Sequence, residues 1–226
     1  MNVQDSAEFA DAARQLATEP DFDHAAQRIA EYATEMTSAE QGGVALLRSS
    51  HRWEVAAATG AEAEQAGRIR SAMHEAPGFD PADDHDTCLV SNTSQDHRWP
   101  QWGSQMAELG FRSAVSACLY TSRRTIGTLD LYASSVGQLD EADAERARVL
   151  ASHASVALDF LQEEIGLRRA VETRNIIGQA QGLLMERYGL DAHRAFDVLR
   201  RHSQDSNIKL REVAEQLIST RSLPVD

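Results

Sequence analysis

The chain has 226 residues, of which 42% are hydrophobic, and a formal net charge of −13. This length predicts one or two domains, either of which can bury a core of its own. No apolar run approaches a membrane span, and residues 1–11 are polar and acidic, unlike a signal peptide, so we expect a cytoplasmic protein without membrane contacts. Cys88 and Cys118 form no CxxC pair and no disulfide framework.

The acidic charge is confined to one part of the chain. Residues 161–226 contain ten basic and ten acidic residues, so the net charge of −13 belongs entirely to the first 160 residues. A neutral C-terminal part gains little from bulk electrostatics if it binds nucleic acid. It must then rely on a local basic patch and on direct contacts.

The first 160 residues alternate between amphipathic helices and short apolar strands. Hydrophobic spacing and capping residues predict helices over Ala7–Leu16, Phe22–Met36, Glu62–His74 and Pro100–Leu109, and strands over Val44–Leu47, Trp53–Ala58, Thr87–Val90, Arg112–Thr121 and Arg124–Ala133. Residues 49–51 are predicted to form a turn, and the Asp- and Pro-rich residues 77–86 a loop. This order predicts an antiparallel sheet with flanking helices.

A long helix follows, with Asp140 and Asp143 at its start. No residue between Asp140 and Tyr188 requires a break, so one helix is expected to join both parts of the chain. Leu158, Leu161 and Ile165 form one apolar stripe on it, and Phe160, Leu167 and Val171 form another. These stripes predict either packing on the helix's own domain or a parallel helix dimer, and we expect a homodimer.

Three amphipathic helices are predicted at the C-terminal end. The first presents Ile177, Ala180, Leu184 and Tyr188 on one face and ends at Gly189, while close packing would compensate for the helix-weakening Gly178 and Gly182. The second is capped by Asp191, presents Ala195, Phe196 and Leu199, and is interrupted by the polar run 202–207. The third begins near Ile208, with Val213 and Leu217 expected to pack against Leu184 and Phe196.

These C-terminal segments resemble the ANTAR domain, a three-helix RNA-binding output module of bacterial antitermination regulators. The resemblance is carried by Ile177–Leu190, Ala195–Phe196, Leu199–Arg201 and Ser203–Ala214, which match all three helices in order and spacing. It implies an ANTAR domain over residues 173–222 that binds paired stem-loops in a leader transcript. Gln181 stands where the family often has Lys, so one basic RNA contact is absent here or is supplied elsewhere.

The N-terminal part resembles the GAF domain, a sensor fold related to PAS. Asp96–Pro100, Ala107–Ser113 and Ile126–Tyr132 are similar to segments of the GAF domains that precede ANTAR domains. The resemblance implies an α+β GAF domain over residues 8–160, a helical connector over 161–172, and a small-molecule ligand or an upstream signalling protein as the stimulus. It is weakest over residues 75–86, and the sequence identifies no cofactor.

Two sets of residues are candidates for binding. RNA-binding modules use cations for phosphates and amides or hydroxyls for unpaired bases. Pattern alone would favour a solvated surface with ion pairs within helices, but the ANTAR resemblance favours RNA contacts by Gln179, Gln181, Arg187, Arg200, Arg201, Ser203, Asn207, Lys209 and Arg211. A ligand in the GAF domain is expected to meet Phe79, Trp99, Trp102, Met106 and Cys118, although such an aromatic cluster at helical spacing is more often core.

Other chemistries have weaker support. Asp83–Asp86 place four possible metal ligands in a row, but without helical spacing or a calcium-loop glycine they favour a solvated acidic loop. A GAF-fold redox sensor or enzyme would use Cys88 and Cys118, which lack the three-cysteine arrangement of the sulfoxide-reducing group. Lys209–Leu217 resembles the first helix of a helix-turn-helix, yet little chain follows for a recognition helix. We therefore expect a non-enzymatic RNA-binding regulator without a metal site.

Overall fold

The computed structural model describes residues 11–12, 14–16, 18–48, 52–73, 75–78 and 87–221, and it divides into two compact units at residues 162 and 163. Its elements in chain order are α1 (Phe22–Glu35), β1 (Gln41–Leu47), β2 (Trp53–Ala58), α2 (Ala61–Ala72), β3 (Thr87–Val90), α3 (Pro100–Glu108), β4 (Ser113–Tyr120), β5 (Thr125–Ala133), α4 (Glu141–Tyr188), α5 (Ala192–Ser206) and α6 (Leu210–Thr220). Residues 11–12 and 14–16 are also helical, and the remainder of the predicted first helix lies outside the described residues. Within the described residues, no helix is both long and apolar enough to span a membrane.

The five strands form one antiparallel sheet, as the sequence predicts, and their order in it is β2-β1-β5-β4-β3. One face of the sheet packs closely against α1. The absence of a side chain at Gly42 permits this approach, since a Cβ there would lie 2.9 Å from Leu131 Cδ2 and 3.4 Å from the Ala30 carbonyl oxygen. The opposite face packs against α2 and α3. Strand β1 begins at Gln41, three residues before its predicted start. Glycines at positions 42 and 43 allow Leu131 and the Ala57 carbonyl oxygen to approach the strand more closely than a larger side chain would permit.

Local capping sets the beginnings of the helices where the sequence predicts them. The Asp21 carboxylate accepts a hydrogen bond from the backbone N–H of His24 at 3.0 Å, and Pro100 opens α3. The Asp140 carboxylate accepts from the backbone N–H groups of residues 142 and 143 at the start of α4. Asp191 caps α5 in the same way, accepting from the backbone N–H of Arg194 at 2.8 Å.

Helix α4 runs through 48 residues without interruption, as predicted. In the first unit, Leu158 and Leu161 are buried, so part of the first apolar stripe packs within its own domain. The second stripe stays in solvent in this single chain, because Phe160, Leu167 and Val171 are 64%, 68% and 70% exposed.

The second unit consists of the C-terminal part of α4, helix α5 and helix α6. Its apolar core contains the buried residues Ala180, Leu184, Ala195, Leu199, Val213, Ala214 and Leu217. The predicted association of Leu184 with Val213 and Leu217 is confirmed, but Phe196 lies outside this cluster. Residues Gly178 and Gly182 are also not closely packed, since an added Cβ at either would meet no atom within 4 Å.

The prediction that the polar run 202–207 interrupts the second helix of this unit is wrong, because α5 continues through residues 202–206. The helix continues to Ser206, and Ser206 Oγ donates to the carbonyl oxygen of His202 four residues before it, so this polar side chain is accommodated within the helix. The helix ends only at Asn207, whose φ of 54° places it in the left-handed conformation. A short connection then leads into α6.

Candidate functional site

A buried polar cluster lies on the sheet face that packs against α2. We define it as Arg70 of α2, Ser116 of β4, and Thr128 and Asp130 of β5, all of which are buried. The Asp130 carboxylate accepts hydrogen bonds from Arg70 Nη1 at 3.1 Å, Ser116 Oγ at 2.6 Å and Thr128 Oγ1 at 2.8 Å. Strand pairing explains the assembly, because Ser116 is directly opposite Asp130 on neighbouring strands.

The segment after α2 is held across this face by contacts at both ends. Arg70 Nη2 donates to the Pro77 carbonyl oxygen, which lies 3.3 Å from Ser116 Oγ, and Gly78 adopts a φ of 71° beside them. The Glu75 carboxylate accepts from the backbone N–H of Gln101 at 2.8 Å, near the start of α3. The buried polar cluster therefore connects α2, the sheet and the segment 75–78.

The residues proposed to meet a GAF ligand lie beside this cluster. Trp102 and Met106 are 2% and 0% exposed and belong to an apolar cluster with Phe111 and Tyr132, against which Trp99 packs. Burial, followed by the nearby Asp130 charge, raises the pKa of Tyr132. Trp102 Nε1 and Arg70 Nε are buried donors that have no hydrogen-bond partner among the described residues. Phe79 lies outside the described residues.

The motif Asp96–Pro100 has a structural function in this domain. Arg98 donates to the Asp96 carboxylate at 2.6 Å and to the Leu89 carbonyl oxygen at 2.8 Å, which connects the motif to β3. The hydrogen bond from the Arg98 guanidinium to the Asp96 carboxylate lowers the pKa of Asp96. The Arg98 guanidinium also lies 4.4 Å above the Trp99 ring, so it orients a candidate ligand residue.

The two cysteines share the sheet face that carries the buried polar cluster. Cys88 is opposite Ser116 in the register of β3 and β4, and Cys118 is two residues further along β4. Diagonal neighbours of this kind lie about 7–8 Å apart, beyond the usual Cα separation of a disulfide of about 4.4–6.8 Å. A disulfide between them would therefore require the strands to shift. The four possible metal ligands Asp83–Asp86 lie outside the described residues, and the described residues contain no group of three or more possible ligands.

The cations proposed to bind RNA lie on the surface of the second unit. Arg200 donates to Asp197 at 2.8 Å, and Arg211 donates to Glu215 at 2.8 Å, which raises the pKa of Arg211. Arg187 donates to the Arg221 carbonyl oxygen. Arg201 and Lys209 are exposed.

The polar candidates take part in contacts within the unit. Ser203 Oγ donates to the Ile208 carbonyl oxygen at 2.6 Å, and Asn207 terminates α5, so both shape the connection between α5 and α6. Gln179 Nε2 donates to Asn175 at 3.4 Å. Gln181 Nε2 donates to the Ala192 carbonyl oxygen at 3.0 Å and thereby ties α4 to the start of α5. Each amide retains a carbonyl group that can face RNA.

Sequence reasoning missed Arg70 and Asp130 as site residues. A signal was available, because Thr128, Asp130 and Tyr132 alternate along one face of a predicted strand. A carboxylate at an inward position requires hydrogen-bond donors or a cation. Its partner on α2 is 60 residues away in sequence, and only the folded chain identifies it.

The five-stranded sheet with helices on both faces, followed by a three-helix unit, defines an α+β domain joined to a small helical domain. A model of the GAF domain family matches residues 19–159, and a model of the ANTAR domain family matches residues 166–218. The chain therefore belongs to the GAF domain family and has an ANTAR domain after its GAF domain. No curated protein matches its sequence.

Several solved structures share the fold. A bacteriophytochrome from the photosynthetic bacterium R. palustris has a TM-score of 0.59 at 13% identity, over 89% of this chain and 48% of that chain. The GAF domain of the cyanobacteriochrome TePixJ has a TM-score of 0.52 at 18% identity, over 65% of this chain and 94% of that one. The GAF domain from an Acinetobacter phosphoenolpyruvate-protein phosphotransferase has a TM-score of 0.55 at 11% identity, over 72% and 97%. This chain spans about half the length of the bacteriophytochrome, and at these identities the likeness shows the fold alone.

Proposed function

We propose that this protein is a signal-responsive RNA-binding transcription antiterminator that acts in the cytoplasm. The observation that carries the proposal is an ANTAR domain following a GAF domain, with one uninterrupted helix, α4, contributing buried residues to both units. Leu158 of this helix is buried in the first unit and Leu184 in the second. A stimulus that alters the packing of α4 in the GAF domain can therefore change a helix of the RNA-binding domain.

The ANTAR domain would bind paired stem-loops in a leader transcript and thereby disfavour a terminator hairpin. Arg187, Arg200, Arg201, Lys209 and Arg211 would contact phosphates. The ion pairs of Arg200 and Arg211 do not oppose this assignment, because both are at the surface, where such pairs contribute little stability and phosphate can replace the carboxylate. The amides and the hydroxyl of Gln179, Gln181, Ser203 and Asn207 would contact the loop or hold the helices that do so.

The GAF domain would sense a small molecule or an upstream signalling protein at the sheet face occupied by the buried polar cluster. Two buried donors there, Trp102 Nε1 and Arg70 Nε, have no partner in the described part of the chain and support a ligand that presents hydrogen-bond acceptors. The other proposed contacts are Phe79, Trp99, Met106 and Cys118.

The antiterminator is proposed to act as a homodimer through α4. Phe160, Leu167 and Val171 are three large apolar side chains on one helix that are each more than 60% exposed in the single chain. Parallel pairing of two such helices would bury them and bring two ANTAR domains to paired stem-loops.

A mobility-shift titration of the full-length chain tests the proposed function. The probes are a leader RNA with two stem-loops, the same RNA with scrambled loops, and a DNA duplex of the same sequence. We expect preferential binding to the first RNA and, in single-round transcription, increased read-through of the terminator downstream. Equal binding to all three probes would contradict the proposal, and preference for the duplex DNA would favour a DNA-binding regulator.

A further inference from the structure

The second unit contains an open groove whose lining shares one residue, Gln181, with the proposed RNA contacts. The groove has a volume of about 530 Å³ and lies between α4 and α5; its lining includes Arg169, Thr173, Arg174, Ile177, Gln181 and Phe196. This volume falls within the range of about 300–1,000 Å³ that is common for small-ligand sites. Every one of these residues belongs to the second unit, so the groove is a property of the helical domain itself.

The wall of the groove on α5 is an aromatic side chain that the core does not use. The neighbouring Ala195 and the more distant Leu199 are buried in the core of the unit, whereas Phe196 is half-buried and lies outside that cluster. Ile177 of α4 forms the opposite apolar wall and packs against the core from its edge. An aromatic ring thus faces an open, largely apolar space.

The two arginines that line the groove form no ion pairs among the described residues, unlike several other cations of this unit. Arg169 and Arg174 are exposed, and neither forms an ion pair or hydrogen bond among the described residues. By contrast, the adjacent Arg168 donates to Glu164 at 2.7 Å and does not line the groove. The two guanidinium groups of the groove are therefore available to an anion without first breaking an ion pair.

The lining also contains a side-chain amide whose orientation is fixed by a hydrogen bond. Gln181 Nε2 donates to the Ala192 carbonyl oxygen at 3.0 Å, which fixes the amide and leaves its carbonyl oxygen and second N–H unengaged. One acceptor and one donor side by side match the edge of a nucleobase.

We propose that this groove binds one unpaired nucleotide of the RNA loop. The base stacks on Phe196, its edge hydrogen-bonds to Gln181, and the flanking phosphates contact Arg169 and Arg174. This inference rests on the proposed RNA-binding function and deepens it, because it assigns an unpaired base to a named pocket. It also adds three residues, Arg169, Arg174 and Phe196, to the RNA-binding surface.

The test couples a change in the protein to a change in the RNA. Hairpin RNAs that share one stem and carry a randomised loop are selected for binding to the full-length chain. Each loop position of the best hairpin is then made abasic. For wild type, one position should weaken binding by about 5- to 150-fold when its base is removed, which corresponds to one stacked base. Phe196→Ala should weaken binding to the intact hairpin by a similar factor.

The decisive measurement is the affinity when the Phe196 variant and the abasic RNA are combined. With Phe196→Ala, removing that base should cause little further loss, whereas Phe196→Trp should retain most of the affinity. Arg169→Gln and Arg174→Gln should each weaken binding and reduce its salt dependence by about one charge, while the matched control Arg168→Gln should leave both unchanged.

Three outcomes would overturn the inference. If Phe196→Ala and base removal weaken binding by independent factors at every loop position, the ring does not stack on a base, although the proposed RNA-binding function stands. If Phe196→Ala alters the oligomeric state in light scattering, the groove is instead a protein contact. If no hairpin is enriched over the uninterrupted stem, the proposed function fails together with this inference.

Discussion

Replacing Asp130 by alanine is the most informative perturbation of the GAF domain. The carboxylate accepts three hydrogen bonds from Arg70, Ser116 and Thr128, and the side chains of the ion pair are 1% and 6% exposed. Its removal leaves a buried guanidinium without a counter-charge and takes a hydrogen-bond acceptor from the Ser116 and Thr128 hydroxyls. Breaking a buried pair in this way costs about 3–5 kcal/mol of unfolding free energy, a large part of the about 5–15 kcal/mol that stabilises a typical domain.

The double variant Arg70→Met/Asp130→Leu separates the unpaired charge from the loss of packing. Apolar replacement of both partners removes the charge and its desolvation cost together, so it should cost less than Asp130→Ala alone. Some loss remains, because Arg70 also donates to the Pro77 carbonyl oxygen and would no longer hold the segment 75–78. We expect a coupling free energy of at least about 2 kcal/mol between the two positions.

Urea unfolding monitored by tryptophan fluorescence measures this effect in the full-length chain. All three tryptophans, at positions 53, 99 and 102, lie in the first unit, so their emission reports the GAF domain alone. Glu64→Ala provides a matched control on the same helix, since Glu64 pairs with Arg68 at the surface and should contribute no more than about 1 kcal/mol. The reasoning would be refuted if Asp130→Ala cost no more than this control, or if the double variant lost the sum of both single losses.

Four further outcomes are expected. Leu167→Asp should convert a dimer to a monomer in light scattering without lowering stability, because the side chain is 68% exposed in the single chain; a dimer that persists would exclude α4 pairing at this residue. Leu217→Ala should destabilise the C-terminal unit by about 2–4 kcal/mol in hydrogen exchange, since the side chain is 3% exposed; unchanged protection of α6 would contradict the three-helix core. Gly178→Ala should stabilise α4 by about 0.5–1 kcal/mol because nothing occupies the space around it, and a simultaneous loss of RNA affinity would locate RNA against this helix face. Arg201→Ala and Lys209→Ala should each weaken binding to all stem-loops alike and flatten the salt dependence by about one charge; a change confined to one loop sequence would mean that the residue contacts a base.

The amino-acid sequence determined the elements whose formation depends on near neighbours. Asp21 and Asp191 accept hydrogen bonds from backbone N–H groups three residues ahead. Pro100 opens its helix because its ring fixes φ near the helical value. The unbroken pattern from Asp140 to Tyr188 likewise predicts one helix, because each turn requires only residues within four positions. The order of strands and helices, and the motifs within them, were sufficient to identify a GAF domain followed by an ANTAR domain.

Tertiary structure decided the features that depend on distant partners. Whether Gly42 and Gly43 extend a strand depends on Leu131 and Ala57, against which those glycines pack. Phe196 occupies an apolar position in α5, yet only the packing of α4 and α5 shows that it lines a groove instead of filling the core. Arg70 pairs with Asp130 across 60 residues. Burial and pairing arise when segments far apart in sequence meet, and helical or strand periodicity describes only the single segment.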